Sequence, residues 1–144
     1  MPNVGPVFGG VNLVVTDMDA SVAFYRRLGI TIPDAGPWDD DHRTAETATG
    51  VEFELDSTSF APRWNSGWPG SAGRGAAVFG FSVATREDVD RIHDDLTAAG
   101  YTSQQAPYDA FWGARYAIVE DPDGNAVGLM SPMDDAYRSD TPAF

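Results

Sequence analysis

The chain has 144 residues, which is enough for one domain with a hydrophobic core of its own. Its 22 acidic and 9 basic residues give a formal charge of −13, which argues against binding to nucleic acid or to an anionic membrane surface. Cysteine is absent, so disulfides, thiolate nucleophiles and cysteine metal ligands are excluded. No run of residues approaches the roughly 20 apolar residues of a membrane span, and the N-terminus lacks the pattern of a signal peptide, so we expect a cytoplasmic protein.

The first residues predict a strand, a helix and a second strand. Val11–Val15 is a β-branched run that is typical of a strand. An aspartate at position 17 or 19 can then accept hydrogen bonds from the first free N–H groups of a helix, and Gly29 can end that helix in the left-handed conformation. Ile30–Ile32 predicts a second strand, which Pro33 ends.

The next segment predicts two more strands and a long loop. His42–Thr47 can form a strand, and Val51–Leu55 alternates strictly between apolar and acidic residues. This alternation places Glu52 and Glu54 on one face of the strand and the apolar side chains on the other. Residues 60–75 are rich in glycine, proline and tryptophan, which indicates a loop between two halves of the chain.

The second half repeats this order. Phe79–Val83 predicts a strand, Thr85 and Asp88 have the spacing of a capping box at the start of a helix, and a further strand begins at Tyr101. Residues 110–130 then read as two strands joined by a tight turn, in which Pro122 fixes one corner, Asp123 offers an acceptor to the backbone and Gly124 takes the φ > 0 position.

The spacing of equivalent residues indicates an internal duplication. Val15 and Val83 are 68 residues apart, Gly29 and Gly100 are 71 apart, and Gly50 and Gly124 are 74 apart. Such offsets are expected of two copies of one β-α-β-β-β unit, the second slightly longer. We therefore predict a single domain over residues 1–144, built of module 1 (about 8–60) and module 2 (about 76–131) joined by a loop at 61–75.

Two of these segments carry a resemblance to a known family. They are the helix start at residues 17–25, DMDASVAFY, and Trp112–Gly113 followed by the DPDGN turn and the apolar strand that ends at Met130. Together they resemble the vicinal oxygen chelate superfamily, which includes glyoxalase I, extradiol dioxygenases and bleomycin-resistance proteins. The resemblance covers about residues 8–131. It implies an α+β fold in which two β-α-β-β-β modules form an open, barrel-like mixed sheet around a cavity.

Enzymes of this superfamily bind one divalent metal ion through four side chains that project into that cavity. The resemblance places these ligands at Gly10, Val78, Glu54 and Gly128. Only Glu54 has a donor atom, and a divalent ion needs several fixed ligands, so we expect no metal and no cofactor. His93 is interpreted as a packed residue of the second helix. His42 lies at a strand edge beside three aspartates, and a single histidine there does not restore the site.

The same positions suggest an organic ligand. Glycine and valine clear volume where the metal would lie, although neighbouring side chains could fill that space instead. Aromatic residues lie in or near the loops, where contacts with small molecules concentrate: Trp38, Phe60, Trp64, Trp68 and Trp112. Trp112 could alternatively cap the hairpin. Carboxylates and tryptophan faces both attract cations, so the expected ligand is a flat, cationic or amine-bearing aromatic compound bound by Glu54.

Three functions are compatible with this pattern. The first is a metal-free protein that binds and sequesters a small molecule such as an antibiotic, without altering it. The second is an enzyme of the same fold, a lyase, isomerase or dioxygenase-like protein, that uses Glu54 as a general base or a metal held by other residues. The third is an accessory module whose cavity is filled and whose edge binds another protein. The resemblance also implies a homodimer, and exposed edge strands favour one. The acidity either attracts the ligand or only maintains solubility.

Overall fold

The computed structural model describes residues 8–75 and 77–142. The chain divides into two compact units, Met1–Gly73 and Arg74–Phe144. Each unit has one mixed β-sheet, with three strands in the first and four in the second, and neither sheet is closed into a barrel. This arrangement confirms the α+β class. In the part of the chain described, no helix combines the length and apolar character needed to cross a membrane.

The described part of the first unit contains three strands and two helices. They are β1 (Gly10–Val15), α1 (Met18–Leu28), β2 (His42–Thr44), β3 (Glu52–Ser57) and α2 (Ala61–Trp64). The order in the sheet is β1-β3-β2, with β1 parallel and β2 antiparallel to β3. The central strand β3 is therefore paired on both sides, and its register determines which side chains of β1 and β2 lie beside it.

Helix α1 covers one face of this sheet and is bounded as predicted. The Asp17 side chain accepts a hydrogen bond from the Ala20 N–H at 3.0 Å, and Gly29 follows the helix in the left-handed conformation with φ = 116°. The buried side of the helix packs on the apolar residues of the sheet, and the rings of Tyr25 and Phe53 meet edge to face at 5.1 Å. The opposite face of the sheet is left for polar side chains.

Two predictions for this unit are wrong. Ile30–Ile32 is not a strand, because the Ile32 carbonyl accepts from the Arg26 guanidinium and Pro33 has no N–H to offer a neighbour. Within residues 8–75, the only backbone hydrogen bond that joins this segment to the one after β2 runs from the Glu46 N–H to the Thr31 carbonyl. The segment after β3 is also not entirely a loop, since it contains the short helix α2, with proline in its first turn.

The second unit has the predicted β-α-β-β-β order. Its elements are β4 (Val78–Ser82), α3 (Arg86–Ala98), β5 (Ser103–Asp109), β6 (Arg115–Glu120) and β7 (Ala126–Met130). The sheet order β4-β7-β6-β5 contains the same parallel and antiparallel pairings as β1-β3-β2, with β5 added at the edge. The duplication read from the sequence is therefore present in the topology, although residues 8–73 contain no counterpart of β5.

Helix α3 begins at the predicted capping box. The Thr85 hydroxyl accepts from the Asp88 N–H at 3.1 Å, and the Asp88 carboxylate accepts from the Thr85 N–H at 3.1 Å. His93 is buried on this helix, and its Nε2 lies 2.7 Å from the Ser103 hydroxyl. This agrees with its interpretation as a packed residue.

The β6–β7 hairpin turns at residues 121–125. Gly124 has φ = 83°, as the turn requires, and its N–H donates to the Asp121 carbonyl. The Asp121 carboxylate accepts from the N–H groups of Asp123 and Asn125 and from the Asn125 side chain, each at 2.9 Å. The sequence-based prediction named Asp123 as an acceptor in this turn and did not include Asp121.

Candidate functional site

The face of the first sheet opposite α1 carries a cluster of polar side chains from all three strands. We call it the polar face, and define it by Asn12 on β1, His42 and Thr44 on β2, and Glu54 and Asp56 on β3. The members lie together because Asn12 is the register partner of Glu54 and His42 that of Asp56. Paired residues of neighbouring strands project to the same side of a sheet, so the pairing brings five polar groups to one surface.

Asp56 lies at the bottom of this cluster and is 1% exposed. One of its carboxylate oxygens lies 2.5 Å from His42 Nδ1, and the other accepts from the Asn12 amide at 2.9 Å. A buried carboxylate is stable only when it is hydrogen-bonded, and these two contacts meet that requirement. Asp56 therefore fixes the orientation of both neighbours.

The two ring nitrogens of His42 have different surroundings, since Nδ1 lies against the buried Asp56 carboxylate and Nε2 lies near the Thr44 hydroxyl. With Nδ1 at Asp56, Nε2 lies 3.2 Å from the Thr44 hydroxyl, and the ring of Phe60 packs edge to face on the imidazole at 5.8 Å. A carboxylate that accepts from Nδ1–H leaves Nε2 as the basic nitrogen. In that tautomer the half-buried imidazole can accept a proton or bind a cation at Nε2.

Glu54 is half-buried at the upper edge of the cluster. It accepts from the Asn12 amide at 2.8 Å, so one amide group bridges Glu54 and Asp56. Across residues 8–75 and 77–142, neither carboxylate forms an ion pair with an arginine. The buried Arg43 of β2 points away, to Asp34 and Asp39 of the preceding loop. The polar face therefore carries two carboxylates whose neighbours are an amide and a histidine.

The four metal positions implied by the resemblance do not fit a metal ion, because Gly10, Val78 and Gly128 have no donor atoms in their side chains. A different set does fit. One donor atom each from His42, Glu54 and Asp56 lie within 4.8 Å of one another. Two ligands of one divalent ion at about 2.0–2.6 Å each are at most about 4–5 Å apart, so these three groups could ligate one ion after small shifts.

Of the predicted ligand-binding residues in the first unit, Glu54 and Phe60 belong to this surface. Gly10 lies beside Glu52 and not beside Glu54, since the parallel register pairs it two residues earlier. Trp38 is 70% exposed in the loop before β2, Trp64 is 48% exposed on α2, and Trp68 is half-buried. None of these three indole rings contacts another aromatic ring within the described ranges.

The other predicted residues lie in the second unit. Trp112 packs in a group of aromatic rings, at 5.5 Å from Tyr116 and 6.5 Å from Tyr108. Val78, at the start of β4, is 48% exposed. Gly128 lies in the centre of β7, and its register partner is Gly80. The ring partner of Trp112, Tyr116, lies on the hairpin strand β6.

Sequence reasoning missed the contributions of Asn12 and His42 to this cluster. The period-2 alternation of β3 already placed Asp56 on the face of Glu54, so that part of the signal was present. The pairing of Asn12 with Glu54 joins residues 42 positions apart, and the pairing of His42 with Asp56 joins residues 14 apart. Neither register follows from local pattern.

Comparisons with known proteins agree with the duplicated topology. The model of the Glyoxalase/Bleomycin resistance protein/Dioxygenase superfamily matches residues 7–129. A structure of that family from Burkholderia phytofirmans is 23% identical over 86% of this chain and 97% of its own, with a TM-score of 0.70. A protein of unknown function from Agrobacterium tumefaciens is 27% identical over 90% and 96%, with a TM-score of 0.68. A lactoylglutathione lyase from Agrobacterium tumefaciens is 20% identical over 90% and 96%, with a TM-score of 0.65. No curated protein matches.

Proposed function

Since the chain belongs to the Glyoxalase/Bleomycin resistance protein/Dioxygenase superfamily, whose fold carries several activities, we propose a function from its polar face. The protein binds a cationic, amine-bearing aromatic molecule, such as an antibiotic of that class, with Glu54 as the anionic partner, and does so without a metal ion. The observation that carries this proposal is a pair of neighbouring carboxylates, of which Glu54 has only the Asn12 amide as a hydrogen-bond partner in the described residues. Glu54 and Asp56 lie side by side, and no arginine neutralises either of them in the described residues.

The geometry gives an ammonium group three acceptors on one surface. Glu54 offers a half-exposed oxygen, Thr44 offers a hydroxyl, and His42 offers Nε2. The buried Asp56 carboxylate attracts the ammonium group without contacting it, because a buried charge is screened less than an exposed one. The edge of Phe60 borders the same surface and offers apolar contact to an aromatic ring.

Binding of an amine panel, followed by tryptophan fluorescence and calorimetry, tests this proposal. Glu54→Gln keeps the shape and removes the charge, and the loss of a charge-assisted hydrogen bond worth about 1.5–3 kcal/mol should weaken binding about ten- to a hundredfold. Glu52→Gln is the matched control, since it removes the same charge two residues away on the same strand. Equal weakening in both variants, or unchanged affinity in Glu54→Gln, would contradict the placement of the site.

A second candidate function is a metal-dependent enzyme of the same superfamily. Its specific support is the set of donor atoms from His42, Glu54 and Asp56. Elemental analysis of the protein purified without chelator, followed by titration with Zn²⁺, Mn²⁺ and Ni²⁺, separates the two candidates. A stoichiometric ion that is lost in His42→Ala but kept in Glu52→Gln would favour the enzyme and oppose metal-free binding.

A further inference from the structure

The second unit contains a buried histidine that the proposed function does not use. His93 of α3 is 8% exposed, and its Nε2 lies 2.7 Å from the hydroxyl oxygen of Ser103, the first residue of β5. Ser103 itself is exposed. A hydroxyl within about 2.6–3.2 Å of an imidazole nitrogen is the arrangement in which histidine activates a nucleophile. The pair therefore joins a protected base to a serine that solvent reaches.

The surroundings of His93 Nδ1 favour the tautomer that such a base needs. This nitrogen is buried and has no hydrogen-bond partner in residues 8–75 and 77–142. A carboxylate oxygen of Asp94 lies 3.8 Å away, and a negative charge at that distance favours a proton on Nδ1 over a lone pair. With the proton on Nδ1, Nε2 is the basic nitrogen and accepts a hydrogen bond from the Ser103 hydroxyl.

Asp94 can approach the ring more closely without disturbing the fold. Its side chain is 83% exposed and that of His93 is 10% exposed, so a change of rotamer moves the carboxylate and leaves the imidazole in place. Catalytic hydrogen bonds are often long before a substrate binds. A carboxylate that accepts from Nδ1–H holds the ring in the required tautomer, as in the catalytic triads of hydrolases. Asp94 is thus a positioning residue, and Ser103 and His93 are the reacting pair.

The strand is irregular immediately after Ser103. The register moves from Ser103 opposite Val119 to Gln105 opposite Ile118. Gln104 is therefore an extra residue on β5, which makes a β-bulge, and such residues are left out of the ladder. The N–H of the residue after a nucleophile commonly stabilises the oxyanion of a tetrahedral intermediate. Gln104 occupies that place in the sequence, on the edge strand of its sheet.

We propose that Ser103 and His93 form an acyl-transfer site for small, uncharged esters. The Ser103 oxygen attacks the carbonyl carbon of the ester while its proton passes to His93 Nε2. The bond between that carbon and the leaving oxygen then breaks, and the imidazolium gives its proton to the leaving oxygen, which yields an alcohol and an acyl-serine. Water attacks the acyl group in the same way, releases the carboxylic acid and restores Ser103.

The charge of the surroundings selects the substrate class. The chain has a net charge of −13 and the Asp94 carboxylate lies beside the base, so an anionic ester is repelled. The next residues along β5, Gln104 and Gln105, are uncharged. A neutral ester is therefore favoured over an anionic one. This inference goes beyond the proposed function, since neither Ser103 nor His93 belongs to the polar face.

Hydrolysis of 4-nitrophenyl acetate tests the proposal, followed by nitrophenolate release and by peptide mass spectrometry after an acid quench. The sequence contains neither lysine nor cysteine, whose side chains readily attack such esters, so the background is low. We expect nitrophenolate release above the buffer rate and an acetyl group on Ser103. Ser103→Ala should lose both. Thr102→Val is the matched control and should keep both, because adjacent residues of an extended strand project to opposite sides.

His93→Gln separates the role of the base from that of packing. Glutamine can still hydrogen-bond the Ser103 hydroxyl, but its amide is not basic. General-base catalysis is worth about 10²–10⁴-fold, so acetylation of Ser103 should slow at least about a hundredfold with an unchanged circular dichroism spectrum. If His93→Gln does not fold, Ser103→Ala and the position of the acetyl group decide the proposal. An unmodified Ser103 in the wild type, or wild-type rates in Ser103→Ala or His93→Gln, would overturn it.

Asp94 variants test the positioning role separately. Asp94→Asn should slow acetylation about three- to tenfold through the lost charge-assisted contact with Nδ1, at an unchanged melting temperature because the side chain is exposed. Asp94→Glu restores the carboxylate and should recover most of the rate, which a purely structural role would not predict. Equal rates in Asp94→Asn and the wild type would overturn the assignment of Asp94.

Discussion

Replacing Asp121 by alanine measures how much the turn of the β6–β7 hairpin contributes to stability. The side chain is 4% exposed and accepts hydrogen bonds from the Asp123 N–H and from both the N–H and the side chain of Asn125. Asn125 is itself only 7% exposed, so its backbone and side-chain donors would both lose their acceptor inside the protein. A buried donor without a partner costs about 1–3 kcal/mol. Because the third donor, at Asp123, lies in a half-buried position that water can reach, we expect a loss of about 2–4 kcal/mol of unfolding free energy.

Urea denaturation followed by circular dichroism is a suitable assay. Asp121→Asn is an intermediate case, because its remaining carbonyl oxygen can still accept from the two backbone N–H groups while the contact with the Asn125 amide is lost. It should lose about half as much stability as Asp121→Ala. Asp140→Ala, at an exposed position, should change stability by less than about 0.5 kcal/mol. A loss below about 1 kcal/mol in Asp121→Ala, measured against that control, would refute the view that this carboxylate holds the turn together.

Three further predictions follow from the caps, the ion pairs and the sheet edges. Gly29→Ala places a Cβ at φ = 116°, so thermal denaturation should show a loss of about 1–2 kcal/mol, and an unchanged melting temperature would contradict the left-handed cap. Hydrogen bonds from Arg26 and then from Arg43 hold the pKa of Asp34 below its usual value of 3.8. A lowered folded-state pKa stabilises the protein above the unfolded value and loses that effect as the pH falls through the folded value, so Asp34→Asn should lower the urea midpoint at about pH 6 and lower it less as the pH falls below about 4. Light scattering at micromolar concentration should give a homodimer, and a mass of only 15.5 kDa would contradict it.

Much of the secondary structure could be predicted because its signals lie within a few residues of one another. The Asp17 cap, the Gly29 stop, the Thr85–Asp88 capping box and the turn at Gly124 each depend on side chains and backbone groups fewer than five positions apart. The duplication was likewise visible in the sequence, because the glycines that end helices and turns recur at similar offsets, such as Gly29 and Gly100. Ile30–Ile32 shows the limit of local propensity, since an arginine of the preceding helix takes the carbonyl that a neighbouring strand would have used.

The sequence by itself determined that Glu54 lies on the face opposite the apolar residues of β3, because strand alternation has a period of two. It also determined that most of the positions expected to ligate a metal have no donor atom. Only the tertiary structure decided which groups surround Glu54. The register of β1 on β3 places Asn12 beside it, and the register of β2 on β3 brings His42 onto Asp56, whereas Gly10 lies next to Glu52. The register of β4 on β7 similarly places Gly80 beside Gly128. Register is set by the packing of whole strands against their helices. A local sequence pattern therefore predicts which face of the sheet a residue occupies, but not which residue lies beside it on the next strand.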